Sequence, residues 1–339
     1  WKANLKSKLQ SDKNFRQLWN QFNNFETSAV ELEWSSDEAS RVVGGKILNE
    51  YGLSNKFIIG GSADLAASTK QIISDNTFGS NNFGGNSIEF GIREHAMGGI
   101  VNGLALHSNL IPYGSTFLVF SDYMRPSMRL ASLMNINSLF IFTHDSIYLG
   151  EDGPTHQPIE HLMSLRLIPN LDVIRPSNSM ELIHSYRYAL EKRDNPKAII
   201  LSRQNMKFFD NDVSYEDFQT GAYEFMPGSD ITLIATGSEL ELAFEISTKL
   251  KDLSVQIISA PILNRLNEER LESLSLNQNI FTIELGRTIG WDTYIQNIKK
   301  SFSIDSFGES APIDQLAEKF NFCLLYTSDA ADERHCFFL

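Results

Sequence analysis

The sequence predicts an α/β protein: a parallel sheet covered by helices on both faces, followed by a smaller α/β unit. Three observations carry this. Between residue 36 and about residue 203, short apolar runs alternate with helical patterns, the signature of a parallel sheet with crossover helices. A polar stretch at 210–220 then separates this region from a second one. Finally, 339 residues exceed what a single hydrophobic core usually holds.

The elements follow in order. Residues 1–35 are polar with scattered apolar positions (Leu5, Leu9, Phe15, Leu18, Trp19, Phe22, Phe25), which reads as a helical connector whose upstream partner is absent from this chain. In the first unit, 36–210, the runs 57–59, 138–143 and 198–201 read as buried strands and 180–190 as a helix. In the second, 211–322, Ile231–Ala235 and Val255–Ser259 read as strands, and Glu239–Lys249 as a helix started at Thr236-Gly237-Ser238. That second unit contains no cluster of His, Asp and Arg, and a scaffolding or dimer-forming role is expected of it. Residues 323–339 lack periodicity and caps, and read as a tail foreign to the rest.

Composition narrows the function. Apolar residues make up 42% and charged residues 21%, the balance of a globular chain, and no apolar run approaches the roughly 20 residues that cross a bilayer. A formal net charge of −13 argues against nucleic-acid binding, because phosphate backbones are met by basic surfaces. Anionic ligands would need a local basic pocket. The two cysteines, Cys323 and Cys336, both lie near the end and leave the body without a disulfide framework, so a reducing, cytoplasmic setting is expected.

Four places could carry chemistry. Glu94 falls in the first turn of a helix expected to run buried from Ala96 to Leu106; a carboxylate is favoured there by the helix dipole, with or without a function. The segment 143–158 begins at a strand's carboxyl end, where open parallel sheets place ligands, and holds His144, Asp145, Glu151, Asp152 and His156. Metal binding, hydrogen bonding to a polyhydroxylated substrate and a plain surface loop all remain open for it, although the spacing matches no common zinc pattern. Phe117, Phe120 and Tyr123, read as one helix, share a face of about 120° of arc, as ordinary core residues also do. Gly60-Gly61-Ser62-Ala63-Asp64-Leu65, with Ser68, offers small residues at a strand-to-helix turn where backbone could approach a ligand. Singly, Arg41 and Arg203 read as exposed ion-pair residues.

Together these segments resemble the transketolase family. The likeness runs from about Glu38 to Phe322 and rests on GSADL at 61–65, GIREHA at 91–96, THDSI at 143–147, GEDGPTHQPIE at 150–160, RPSN at 175–178 and LSRQN at 201–205. It implies the pyrimidine-binding and C-terminal domains of a thiamine-diphosphate-binding fold, acting in the pentose phosphate pathway on sugar phosphates. It implies that Glu94 hydrogen-bonds the aminopyrimidine ring of thiamine diphosphate and helps remove the proton from its thiazolium carbon, and that Phe117, Phe120 and Tyr123 wall that ring with Asp64 nearby. His156 would sit near the reacting carbonyl and Asp152 would read the neighbouring hydroxyl, while Arg41, Ser68, His144 and Arg203 would grip the terminal phosphate. The family's Gly-Asp-Gly motif, which holds magnesium and the diphosphate, does not occur here. The expectation is a truncated or split enzyme that needs a homodimer or a complementary N-terminal subunit. Dihydroxyacetone synthase, a non-catalytic regulatory subunit and a metal-dependent hydrolase using the His144–His156 loop are the competing readings.

Overall fold

The structure, a computed structural model, describes residues 1–24, 30, 37–73, 76–207, 209 and 213–322. The foreign tail expected at 323–339 lies outside these residues, as does most of 25–36. At the start, α1 (Lys2–Ser11) and α2 (Lys13–Asn23) meet at Asp12, whose side chain accepts the Phe15 amide at 2.9 Å and caps α2. Neither helix has a buried residue; Phe22 rests edge-on against Phe57, ring centroids 5.0 Å apart.

The first unit runs β1 (Glu38–Ala39), α3 (Ser40–Ser54), β2 (Ile58–Ser62), α4 (Ala66–Thr69), β3 (Ser87–Glu89), α5 (Glu94–His107), β4 (Ile111–Phe117), α6 (Ser121–Leu133), β5 (Leu139–Thr143), α7 (His161–Arg166), β6 (Asp172–Ile174), α8 (Ser179–Glu191), β7 (Lys197–Leu201) and β8 (Asn205–Met206). Six of these strands form one parallel sheet, in the order β3-β2-β4-β5-β7-β6, while β1 pairs antiparallel with β8 as a small ribbon. One apolar cluster gathers Val43 and Ile47 of α3 with Leu182 and Tyr186 of α8; the other gathers Met97 and Val101 of α5 with Met124 and Met128 of α6. A sheet covered in this way explains why its strands read as continuous apolar runs rather than alternating ones.

Two expectations change here. Gly60 and Gly61 lie inside β2 rather than at the turn beyond it, and a Cβ on either would meet the Tyr113 carbonyl oxygen at 2.0 Å or that of Ile88 at 1.9 Å. Their smallness serves close strand pairing, not the approach of a ligand. Helix α5 is buried on one face only. Met97, Gly98, Val101 and Asn102 pack inward, whereas Ile100 is 47% and Leu106 58% exposed.

The second unit contains α9 (Tyr215–Gln219), β9 (Tyr223–Met226), β10 (Ile231–Ala235), α10 (Glu239–Lys249), β11 (Val255–Ser259), α11 (Glu268–Ser273), β12 (Ile280–Ile283), β13 (Ile298–Phe302) and α12 (Ile313–Lys319). Its five strands run β13-β12-β10-β11-β9, parallel except for the antiparallel edge strand β9. The units meet across Arg175, which sits just beyond β6. Arg175 is buried with Asp145 of the first unit and Glu239 of the second.

Candidate functional site

The sequence-predicted residues gather at the carboxyl edge of the six-stranded sheet, because parallel strands deliver all their following loops to one side. Asp64 follows β2, Glu94 follows β3, Phe117 ends β4, His144 follows β5 and Arg203 follows β7. Glu94 opens α5 and is 7% exposed. Its Oε1 accepts a hydrogen bond from the Thr116 hydroxyl at 3.3 Å, the donor coming from the neighbouring strand β4. A carboxylate is favoured at this position by the free amides of the helix start.

The aromatic residues do not form one helical stripe. Phe117 is the last residue of β4, Phe120 closes a 3-10 turn over Leu118–Phe120, and Tyr123 lies in the first turn of α6. The i, i+3 spacing has two causes here, the turn and then the helix, so it mimics one continuous element. The rings still make a row: Phe117 and Phe120 stack with centroids 5.8 Å apart and planes within 7°, and Tyr123, 65% exposed, continues it at 6.1 Å from Phe120.

This row meets the histidines. His144 lies against Phe117 with centroids 3.7 Å apart, and His156 stands edge-on to Phe120 at 5.6 Å. His144 is buried and adopts φ +61°, a left-handed conformation that side chains rarely take and that turns the chain out of β5. The Thr143 hydroxyl is 2.8 Å from its Nδ1, and the Thr155 hydroxyl is 2.9 Å from Nδ1 of His156. Burial, and then the charges of Arg41, Arg203 and His156, push His144 down to about 3. The imidazole is therefore neutral near pH 7 and stands near two guanidinium cations, Arg41 and Arg203.

Those charges mark the basic pocket that an acidic chain needs in order to hold an anion. Arg41, near the start of α3, donates from Nη1 to the carbonyl of Ser68, which lies in α4, while its buried Nε has no hydrogen-bond partner. Burial and the charge of Arg203 lower its affinity for its own proton. Arg41, Ser68, His144 and Arg203 are thus brought together. Asp64 (φ +62°) and Asp152 are exposed.

Sequence reasoning missed the supports beneath this site. Arg175, in the RPSN segment, donates to Asp145 Oδ2 from Nε at 3.1 Å and Nη2 at 2.7 Å, and pairs on its other side with Glu239. Arg166 grips Glu284 with two bonds, at 2.8 and 2.7 Å. A buried arginine, Arg175, in a quoted motif was the available signal, but its partners lie up to 64 residues away. Among the described residues, the group of acid and histidine side chains close enough to share an ion is Asp122, Glu160 and His161, outside the 144–156 loop. A cavity of about 980 Å³ also lies elsewhere, in the second unit beside Leu271 and Tyr294.

The residues present fit the pyrimidine end of thiamine diphosphate. A buried carboxylate suits a ring nitrogen and stacked aromatic faces suit a flat heterocycle. Gly-Asp-Gly, which would hold the diphosphate and its metal, is not in the sequence.

The fold and its carboxyl-edge site define the thiamine-diphosphate-binding α/β class. Residues 39–208 match the family described as "Transketolase, pyrimidine binding domain", and 221–323 match "Transketolase-like TK C-terminal domain". The chain belongs to the transketolase family. It is 42% identical over 314 residues to the transketolase of Staphylococcus aureus strain MRSA252, covering 88% of this chain and 47% of that one. It is also similar in structure to "Transketolase from Leishmania mexicana", with a TM-score of 0.87, 31% identity, and coverage of 94% of this chain and 49% of that one. A third likeness is to "Split gene transketolase, inactive beta4 tetramer", with a TM-score of 0.69, 25% identity, and coverage of 84% of this chain and 93% of that one. The chain spans about half the length of the curated relatives it matches.

Proposed function

We propose that this chain is the pyrimidine-binding and C-terminal part of a transketolase, transferring a two-carbon ketol unit from a ketose phosphate to an aldose phosphate in the cytoplasmic pentose phosphate pathway. The observation that carries it is the junction of Phe117 with His144: a ring suited to a cofactor wall touches a histidine set in a basic pocket. Thiamine diphosphate, when bound, supplies the electron sink for cleaving and forming the carbon–carbon bond.

This chain's residues do the rest. Glu94, buried at the start of α5, is the group that would hydrogen-bond the pyrimidine nitrogen and exchange a proton with it. Phe117, Phe120 and Tyr123 present flat faces to the ring and exclude water, with Asp64 at the rim. Neutral His144 has its Nδ1 2.8 Å from the Thr143 hydroxyl; in the tautomer in which that hydroxyl donates to Nδ1, the ring proton sits on Nε2 and is free to be donated to a phosphate or hydroxyl oxygen. Arg41, Ser68 and Arg203 complete the phosphate grip, while His156 and Asp152 address the sugar's carbonyl and hydroxyl groups.

Magnesium and the diphosphate are assigned to a second polypeptide segment bearing Gly-Asp-Gly, either in a homodimer or in a complementary N-terminal subunit. The likeness to a protein described as a split gene transketolase supports the second arrangement. The test is to mix this chain with a polypeptide carrying that segment, magnesium and thiamine diphosphate, and to compare acceptors. Ketol transfer to an aldose phosphate supports the proposal; transfer to formaldehyde alone would make it a dihydroxyacetone synthase, and cofactor binding without any transfer would make it a regulatory subunit.

A further inference from the structure

The loop at 144–157 carries His144, Asp152 and His156, yet the second unit fastens it at several separate points. At its start, Asp145 is tied through Arg175 to Glu239 and to Thr236, whose carbonyl and hydroxyl oxygens lie 2.9 and 3.0 Å from Arg175 Nη1. Midway, the Tyr148 hydroxyl donates to the Phe322 carbonyl at 2.9 Å, and the Ser310 hydroxyl donates to the carbonyl of Glu151, beside Asp152. At its end, buried Gln157 uses one nitrogen, Nε2, to donate to the carbonyls of Ile147 at 3.2 Å, Gly150 at 2.9 Å and Glu309 at 2.9 Å. Gly308 lies so close that a Cβ there would meet Gln157 Oε1 at 1.8 Å. Arg203 has a related support, because Gln204 Nε2 donates to Ser238 Oγ at 3.1 Å.

We infer that the second unit is the positioning element of the substrate-reading loop. Ser310 and the Glu309 carbonyl act on Glu151 and Gln157 as a clasp that sets the orientation of Asp152 and His156. This rests on the ketol-transfer reading and gives the second unit a part in it beyond scaffolding. A loop ordered in advance binds its sugar without losing conformational freedom at that moment, so loosening the clasp weakens substrate binding more than the chemical step. The residues of the clasp are positioning residues, because they act only through the loop.

Two variants test it: Ser310→Ala, which removes one exposed hydroxyl and leaves the fold alone, and Gln157→Leu, which removes the central tie. Hydrogen exchange on the isolated chain is the first readout. The Gly153 and His156 amides, which bond within the loop at 3.1 and 3.0 Å, should exchange about tenfold faster or more, with the amides of β5 unchanged. In the complemented enzyme, KM for the ketose phosphate should rise about fivefold or more while kcat stays within about twofold. Unchanged exchange in both variants would overturn the inference. So would acceleration that extends equally into β5, or a loss of kcat with KM unmoved. A wild-type pair that transfers nothing would instead strike the ketol-transfer reading, and the exchange result would still decide whether the second unit holds the loop.

Discussion

Phe117 and His144 are in direct ring contact, with centroids 3.7 Å apart and planes tilted by 30°, although one ends β4 and the other follows β5. Parallel pairing of Phe117 with Thr143 sets this contact, since it brings the two strand ends level. On the proposed function, the cofactor wall and the substrate pocket would share this boundary, and changes on either side should be felt across it.

The phosphate grip gives a first prediction. Arg203→Ala should raise KM for a phosphorylated ketose about 10- to 100-fold, the loss of one or two charged hydrogen bonds at about 1.5–3 kcal/mol. For the same sugar without its phosphate, KM should change by no more than about twofold. Steady-state kinetics of the complemented enzyme with both sugars checks the difference.

His144 predicts an acid-sensitive stability. Its folded-state value is pushed down to about 3, below the ordinary 6.5 of an unfolded chain, so between these two values the unfolded state binds more protons than the native one. Stability therefore falls as pH drops from about 6.5 toward about 3, and this part of the loss should disappear in His144→Gln. Melting temperatures of the two proteins across that window should diverge at neutral pH and draw together toward the acid end.

The buried pair of Arg166 and Glu284 predicts a large asymmetry. Burial alone would raise the Glu284 carboxyl; the Arg166 guanidinium, together with the charge of Arg175 and the Thr236 hydroxyl, more than offsets this, and the net direction is downward. Glu284→Gln should destabilise by about 3–5 kcal/mol, because it strands a buried cation. Replacing both partners with Met and Leu should cost less than that single change, as urea denaturation would show.

Much of the framework was legible because it is written locally. Ile231–Ala235, Glu239–Lys249 and Val255–Ser259 stand where their patterns put them, and the helix read at 180–190 extends to Ser179–Glu191. Strand β4 was not legible: Pro112, Gly114 and Ser115 interrupt its apolar run, and its last residue, Phe117, was absorbed into a helix that starts only at Ser121. The exposed face of α5 escaped for a different reason, since Ile100 and Leu106 are as apolar as the residues packed beneath them. Of the site, the motifs carried the residues and the sheet's polarity carried their gathering. The ties from Arg175 to Glu239 and from Gln157 to Glu309 join residues 64 and 152 positions apart, and no local pattern announces such pairs.

The most direct test of the central claim is ketol transfer by Glu94→Gln beside the wild-type chain, each mixed with the Gly-Asp-Gly segment, magnesium and thiamine diphosphate. Loss of a positioned proton-transfer group costs about 10²–10⁴ in rate, so the variant should keep its circular dichroism spectrum and lose transfer by at least the lower of these factors. A Glu94→Gln enzyme that transfers the ketol unit at the wild-type rate would contradict the account, because the buried carboxylate at the start of α5 would then have no part in the reaction.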